Sequence, residues 1–313
     1  MTKLHNHESK AVKLNEKKIS LVIPVYNEED NLPELFRRLL PVMESLERSY
    51  EIILINDGSK DSSLPLMLRE QKSHPQTVRV IDFNGNFGQH TAILAGFKSA
   101  KGQSIITLDA DLQNPPEEIP KLISLLDEGH DVVGTVRKKR RDSFFRRYAS
   151  KIVNKIMNKV TGFSIHDYGC MLRGYSREII DIINECGEVS TFIPALAQKF
   201  AVNPIEIEVS HSARTAGESK YNLFRLIRLQ FDLMTAFSMF PLQMITILGG
   251  IIFAVGVVLA CLGIFGHALS FLLAGIVTTC TGITGEYTGR IYQEVRKRPR
   301  YVIRKIYEEG NNV

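Results

Sequence analysis

Five short apolar runs alternate with segments of helical periodicity in the first half of the chain, and this alternation restricts the fold more than any other feature. The helical segments with clear periodicity cover residues 31–49, 88–101 and 116–128. Strands that alternate with helices of this length form a mostly parallel sheet. We therefore predict an α/β domain with a Rossmann-like, mostly parallel sheet over residues 19–221, with strands at residues 19–25, 51–55, 78–83, 105–108 and 131–135.

One predicted helix carries small residues at every fourth position. They are Gly88, Ala92, Gly96 and Ala100. Side chains four positions apart lie on the same side of a helix, so this spacing predicts a smooth face that packs closely on the sheet.

Polar residues follow three of the predicted strands. Glu28 follows the first strand, Asp57 the second, and Asp109 and Asp111 the fourth. Each could be a turn or a helix cap, as Ser59 would be. The carboxyl ends of parallel strands, however, share one sheet edge, and open α/β sheets bind ligands there.

Asp109 and Asp111 are spaced so that both would share a face if the extended conformation continued. Adjacent carboxylates repel each other unless a cation joins them. A hard divalent metal that holds a diphosphate is the candidate ligand, and a solvated loop is the alternative.

Residues 233–285 form a run of 53 residues without Asp, Glu, Lys or Arg. About 20 apolar residues cross a hydrocarbon core of roughly 30 Å, so the run fits a hairpin at 241–288 with spans at 242–265 and 268–285. An amphipathic helix at 222–240 would lie along the lipid surface before it. The alternatives are a buried hairpin in a soluble protein, and a re-entrant or bundle-buried second segment.

Both flanks of this apolar region are basic, which predicts that both lie in the cytoplasm. Residues 1–18 lack an apolar signal region and are expected to be a mobile arm, while residues 289–313 are expected to be a basic cytoplasmic tail. The four cysteines have no paired metal-ligand spacing, which suits a reducing compartment and argues against zinc.

Seven basic residues lie between Arg137 and Arg147. Such a run can be a solvated surface, a nucleic-acid patch, or a site for an anionic lipid head group at a membrane. No aromatic stacking platform accompanies it, which argues against nucleic acid.

Several of these segments resemble ordered motifs of the family 2 glycosyltransferases with the GT-A fold. The matching segments are residues 24–28, 57–59, 86–88 and 109–113. Residues 88–97, 109–120, 131–137, 167–173 and 217–221 are similar to the polyprenyl-phosphate sugar transferases, and most of all to those that transfer 4-deoxy-4-formamido-L-arabinose. The resemblance runs from about Ile19 to Tyr301.

The resemblance implies inverting transfer of that sugar from a UDP-sugar to undecaprenyl phosphate, with Mg²⁺ or Mn²⁺ as cofactor. It places the enzyme in the bacterial inner membrane, with a role in lipid A modification and resistance to cationic peptides such as polymyxin. A homo-oligomer such as a tetramer is expected, and no nucleic acid partner.

The resemblance also implies roles for single residues. The nucleotide-sugar residues would be Pro24, Tyr26, Glu28, Asp57, Asp109, Ala110 and Asp111, and the metal ligands Asp111 and Gln113. The lipid phosphate would be held by Arg137, Arg146 and Ser150, and the catalytic residues would be Asp167, as a base, and Asp109. Arg173, Ser219 and Lys220 match an active-site loop, although Asp167 could instead pair with Arg173. Asn56 stands where the family often has an acid.

Four other functions are compatible with parts of the sequence. A glucosyl- or mannosyltransferase to polyprenyl phosphate would differ only in the sugar. A processive polysaccharide synthase is disfavoured because the chain has no Trp. A nucleotide-binding scaffold is disfavoured by the intact Asp109, Asp111 and Gln113, and a transporter by the large soluble domain.

Overall fold

A computed structural model describes residues 18–137, 170–186, 193–210, 266–295 and 299–310. Its centre is an eight-stranded sheet with the order β7-β5-β6-β4-β1-β2-β3-β8. The strands are β1 (Ile19–Val25), β2 (Tyr50–Asn56), β3 (Val78–Phe83), β4 (Ser104–Thr107), β5 (Val132–Arg137), β6 (Arg173–Ser176), β7 (Pro204–Val209) and β8 (Ile303–Tyr307).

The sheet is mostly parallel, as predicted. β6 is antiparallel to its neighbours β4 and β5, and the edge strand β8 is antiparallel to β3. β1 pairs in parallel with β2 and β4, β2 with β3, and β5 with β7. The carboxyl ends of β1, β2, β4 and β5 therefore lie at one edge.

Helices cover both faces of the sheet. Buried residues of α1, α2 and α4 join a core on one face, and those of α3, α5 and α6 join a core on the other. The helices are α1 (Leu32–Glu44), α2 (Ser63–Ser73), α3 (Gln89–Ser99), α4 (Ile119–Asp127, after the 3₁₀ turn Pro116–Glu118), α5 (Arg177–Glu185), α6 (Ile193–Phe200) and α7 (Gly266–Val295).

The predicted close packing of α3 on the sheet is confirmed at Gly96. A Cβ atom at this glycine would lie 2.3 Å from Val22 Cγ1 of β1 and 3.0 Å from Ile55 Cδ1 of β2. The absence of a side chain at this position therefore brings α3, and the loop before it, close to the strand ends.

The C-terminal region differs from the prediction of a separate basic tail. Residues 303–307 form β8, an edge strand of the eight-stranded sheet. Their backbone pairs with β3, and Tyr307 packs against the core on the face that α1, α2 and α4 cover. Residues 289–295 continue α7.

The predicted membrane hairpin is not confirmed. Among the helices in the described part of the chain, none is both long and apolar enough to cross a membrane. Residues 268–285 belong to α7. The first predicted span, at 242–265, and the predicted helix at 222–240 lie outside the described residues, as do residues 1–17 of the predicted arm.

Candidate active site

The loop after β1 is locked to the loop after β2. The amide of Asn27 donates to Ser59 Oγ (3.1 Å), and the amide of Lys60 donates to Asn27 Oδ1 (2.8 Å). Asn27 has a φ of 55°, and the amide of Glu28 donates to Ser63 Oγ at 2.8 Å. Glu28 in turn accepts a hydrogen bond from Asn31 Nδ2 (2.6 Å). These contacts hold the Glu28 carboxylate at the sheet edge.

Asp57 lies directly after β2 and is buried. Its Oδ1 accepts from the amide of Phe87 (2.7 Å) and its Oδ2 from the amide of Gly88 (2.9 Å). Burial raises the pKa of Asp57, and the two amides act in the opposite direction. The loop before α3 therefore fixes the orientation of this carboxylate.

Asp109 lies after β4, in a recessed and only partly open position. Burial, followed by the negative charges of Asp111 and Glu28, raises the pKa of Asp109 to about 7. Arg137 and Gln89 oppose this rise; Gln89 Nε2 donates to Asp109 Oδ1 at 2.6 Å. Glu28 and Asp111 are therefore near enough to Asp109 to act on its charge, as is Arg137 at the end of β5.

A turn after Asp111 shapes the end of this loop. Leu112 has a φ of 60°, and the amide of Gln113 donates to Asp111 Oδ1 at 3.1 Å. Both Asp111 and Gln113 are partly exposed at the sheet edge. This is the position predicted for the metal ligands.

The donor set fits a metal that is shared with a ligand. No group of three or more His, Cys, Asp and Glu residues within the described ranges could hold an ion by itself. Mg²⁺, however, is usually bound by one or two carboxylates together with substrate phosphates. Asp109 also lies beside the negative charges of Asp111 and Glu28, which a cation would offset.

The other predicted nucleotide residues lie at the same edge. Tyr26 is 45% exposed on the loop after β1. Pro24 is a partly buried residue of β1, and Ala110 is buried between the two aspartates.

The prediction that Arg173 belongs to a loop is wrong, although Arg173 does lie at the carboxyl end of β4, opposite Thr107. Arg173 is the first residue of β6, not part of a loop, and it is buried, with Nε donating to the carbonyl oxygen of Cys170 at 2.9 Å. Its pairing opposite Thr107 of β4 places it within the sheet. The remaining predicted site residues lie outside the described ranges: Arg146, Ser150, Asp167, Ser219 and Lys220.

Sequence reasoning did not identify Gln89 as a site residue. Its side chain reaches Asp109 only because α3 packs closely on the sheet. The available signal was the resemblance over residues 88–97, which includes Gln89 but does not assign it a contact.

Residues 20–183 match the family model described as glycosyl transferase family 2. The undecaprenyl-phosphate 4-deoxy-4-formamido-L-arabinose transferase of Proteus mirabilis (strain HI4320) is 48% identical over 305 residues, which cover 92% of this chain and 94% of that protein. The chain belongs to glycosyl transferase family 2. As a member of this family it is a glycosyltransferase.

Solved structures support the fold of this family 2 glycosyltransferase. Glucosyl-3-phosphoglycerate synthase from Mycobacterium tuberculosis, in complex with Mn²⁺, UDP and phosphoglyceric acid, superposes with a TM-score of 0.54 at 16% identity, over 74% of this chain and 80% of that one. Its complex with Mg²⁺ and UDP gives a TM-score of 0.53 at 15% identity, over 74% and 81%. At these identities the likeness establishes a GT-A-like α/β fold.

Proposed function

We propose that this glycosyltransferase moves a sugar from a UDP-sugar to undecaprenyl phosphate, with inversion at the anomeric carbon. The observation that carries the proposal is the cluster of Glu28, Asp109 and Asp111 beside Arg137 at the carboxyl edge of the sheet. Such an arrangement can hold a cation with a diphosphate on one side and an anionic acceptor on the other. The relative from Proteus mirabilis supports 4-deoxy-4-formamido-L-arabinose as the sugar.

The nucleotide would bind beside Asp57. Each carboxylate oxygen has two lone pairs, so the bonds from the Phe87 and Gly88 amides leave acceptor capacity for an N–H group of the base. Exposed Tyr26 and partly buried Pro24 would line the same pocket.

Asp111 and Gln113 would hold Mg²⁺ or Mn²⁺. The bound metal would supply countercharge to the diphosphate as UDP leaves. Gln89 keeps Asp109 oriented through its 2.6 Å hydrogen bond, so that Asp109 can contact the donor sugar.

The acceptor phosphate would bind near Arg137, assisted by Arg146 and Ser150. A phosphate monoester has a second pKa of about 6, so its oxygen is largely deprotonated at pH 7 and can attack the anomeric carbon directly. The bond from that carbon to the UDP oxygen breaks, and the negative charge departs with UDP. A strong base is not required, and Asp167 would orient the acceptor.

We place the reaction at the cytoplasmic face of the bacterial inner membrane. The uncharged residues 233–285 and their basic flanks support this placement. In this role the product lipid would serve lipid A modification and resistance to cationic peptides.

The test is a mass spectrum of the lipid product. Purified full-length protein is incubated with undecaprenyl phosphate, Mg²⁺ or Mn²⁺ and a panel of UDP-sugars that includes the glucose donor. We expect UDP release and one lipid product, carrying 4-deoxy-4-formamido-L-arabinose. No turnover with any donor would refute the proposal, and a glucosyl product would refute the sugar.

The metal role is tested by Asp111→Asn. We expect loss of metal-dependent turnover, since one anionic ligand is removed from a site with few protein ligands. Asp30→Asn, at an exposed aspartate on the loop after β1, is the matched control and should turn over like the parent. Unchanged activity of the Asp111 variant would contradict the assignment.

A further inference from the structure

Three aromatic rings connect the C-terminal segment to the loop that holds Asp57. Tyr301, just before β8, stacks on Phe83 at the end of β3, with ring centroids 5.0 Å apart and planes 16° apart. Phe83 in turn meets the edge of Phe87, with centroids 5.7 Å apart and planes at 86°. Phe83 is fully buried between them. Stacked and edge-to-face pairs at such distances are favourable.

Backbone contacts join the same two segments. The amide of Asn84 donates to the carbonyl oxygen of Val302 at 3.1 Å. Phe83 pairs with Ile303 where the register shifts after Asp82. The C-terminal segment therefore contacts the start of the 84–88 loop through backbone hydrogen bonds as well as through aromatic rings.

The 84–88 loop is the one that orients Asp57. Its Phe87 and Gly88 amides donate to the two carboxylate oxygens, and Asn86 Nδ2 donates to the Asp57 carbonyl oxygen at 3.1 Å. A displacement of the Phe87 ring would thus move a donor bonded directly to Asp57.

A polar route runs parallel to the aromatic one. Arg304 Nη1 of β8 lies 3.6 Å from Asp82 Oδ2, and Asn56 Nδ2 donates to Asp82 Oδ1 at 2.6 Å. Asn56 Oδ1 accepts from the amide of Ser59 (3.1 Å), on the far side of Asp57. An acid at position 56 would instead repel Asp82, so the amide is needed for this contact.

We propose that Tyr301 is a positioning residue for nucleotide binding, acting through Phe83 and Phe87 on the Asp57 carboxylate. The inference rests on the proposed function, in which Asp57 contacts the base of UDP. It adds that the pocket is completed by a residue more than 200 positions away along the chain, in a segment outside the matched region 20–183.

The experiment compares Tyr→Leu substitutions at the two ends of residues 301–307, the segment that contains β8. Tyr301 lies at the nucleotide end, whereas Tyr307 pairs with Val80 toward the opposite end of β3. Tyr307→Leu therefore removes the same aromatic group from the same edge without touching the 84–88 loop. Tyr301→Phe keeps the ring and should restore parental behaviour.

Dissociation constants for UDP and for UMP are measured by calorimetry on the full-length protein. We expect Tyr301→Leu to weaken the binding of UDP and of UMP about tenfold, because both ligands contain the base. The KM for the donor should rise by a similar factor, while kcat should change less than twofold. Tyr307→Leu and Tyr301→Phe should bind like the parent. Phe87→Leu alters the loop end of the stack without changing β8, and it should weaken both ligands as Tyr301→Leu does.

Parental affinity for UDP and UMP in Tyr301→Leu would overturn this inference and leave the proposed function standing. An equal loss of UDP and UMP affinity in Tyr307→Leu would also overturn the inference, because the effect would then come from a general weakening of the edge strand β8. A parent protein that bound neither UDP nor UMP would overturn the proposed function, and this inference with it.

Discussion

At the scale of single residues, His90 makes stability depend on pH. This second residue of α3 is partly buried, and its burial, followed by the charge of Arg173, lowers the pKa of His90 to about 4 from 6.5. Between these values the unfolded chain binds a proton that the folded chain does not, so stability falls as pH decreases through this window. From pH 7 to pH 5 we expect a loss of about 2 kcal/mol from this group.

His90→Gln removes the titrating group, so its free energy of unfolding should fall less between pH 7 and pH 5 than that of the parent. Urea unfolding of both proteins at the two pH values measures the difference. Parallel pH dependence in parent and variant would show that His90 is not the source.

Much of the candidate site could be predicted at this scale. Asp57, Asp109 and Glu28 were identifiable because each follows an apolar run, and parallel strands bring such positions to one edge. The bond from Gln89 to Asp109 and the contact of Asn56 with Asp82 could not be predicted, because they depend on how α3 and β3 pack.

At the scale of elements, the turn from β2 to α2 depends on Gly58. Its φ of +69° belongs to the left-handed region, and an added Cβ would lie 2.5 Å from the backbone carbon of Gly85. Gly58→Ala would incur about 1–2 kcal/mol for the left-handed conformation and further strain from this clash. We expect the turn to shift, together with neighbouring Asp57.

Gly129 is the matched control, since its φ is +100° and nothing lies within 4 Å of an added Cβ. Thermal unfolding should show a smaller loss of Tm for Gly129→Ala than for Gly58→Ala, and only the Gly58 variant should lose UDP affinity. Equal losses of Tm would mean that the contact with Gly85 carries no extra strain.

The five strands predicted from the sequence are those that alternate with helices along the chain. β1 to β5 alternate with helices and are largely buried, so their apolar runs are visible. β6 was missed because it is four residues long and inserts between β4 and β5. β7 and β8 are edge strands with polar, partly exposed sequences. They have no clear apolar pattern, and their pairing partners are far away in the sequence.

At the scale of the whole molecule, β8 constrains any membrane topology. Because residues 303–307 pair with β3, they lie on the same side of a membrane as the catalytic sheet. The chain between Ser210 and β8 must therefore cross an even number of times, if it crosses. A single span would separate two strands of one sheet.

Protease accessibility in oriented vesicles tests this. Cleavage sites are introduced at the exposed turn at Glu47 and after Val313. We expect both to be cut in inside-out vesicles and both to be protected in right-side-out vesicles. Cleavage of the two sites from opposite sides would contradict the pairing of β8 with β3.

The pairing of β8 with β3 also means that the sheet can be completed only after the C-terminal segment has been synthesised. Arg304 and its partner Asn84 are 220 positions apart, so at a synthesis rate of about 20 residues per second the edge of β3 waits roughly 10 s for its partner strand. An unpaired strand edge is prone to aggregation during that interval. A chain released early from the ribosome would carry Asp57, Asp109 and Asp111 but lack Tyr301, and so would have the chemistry of the site without its final alignment.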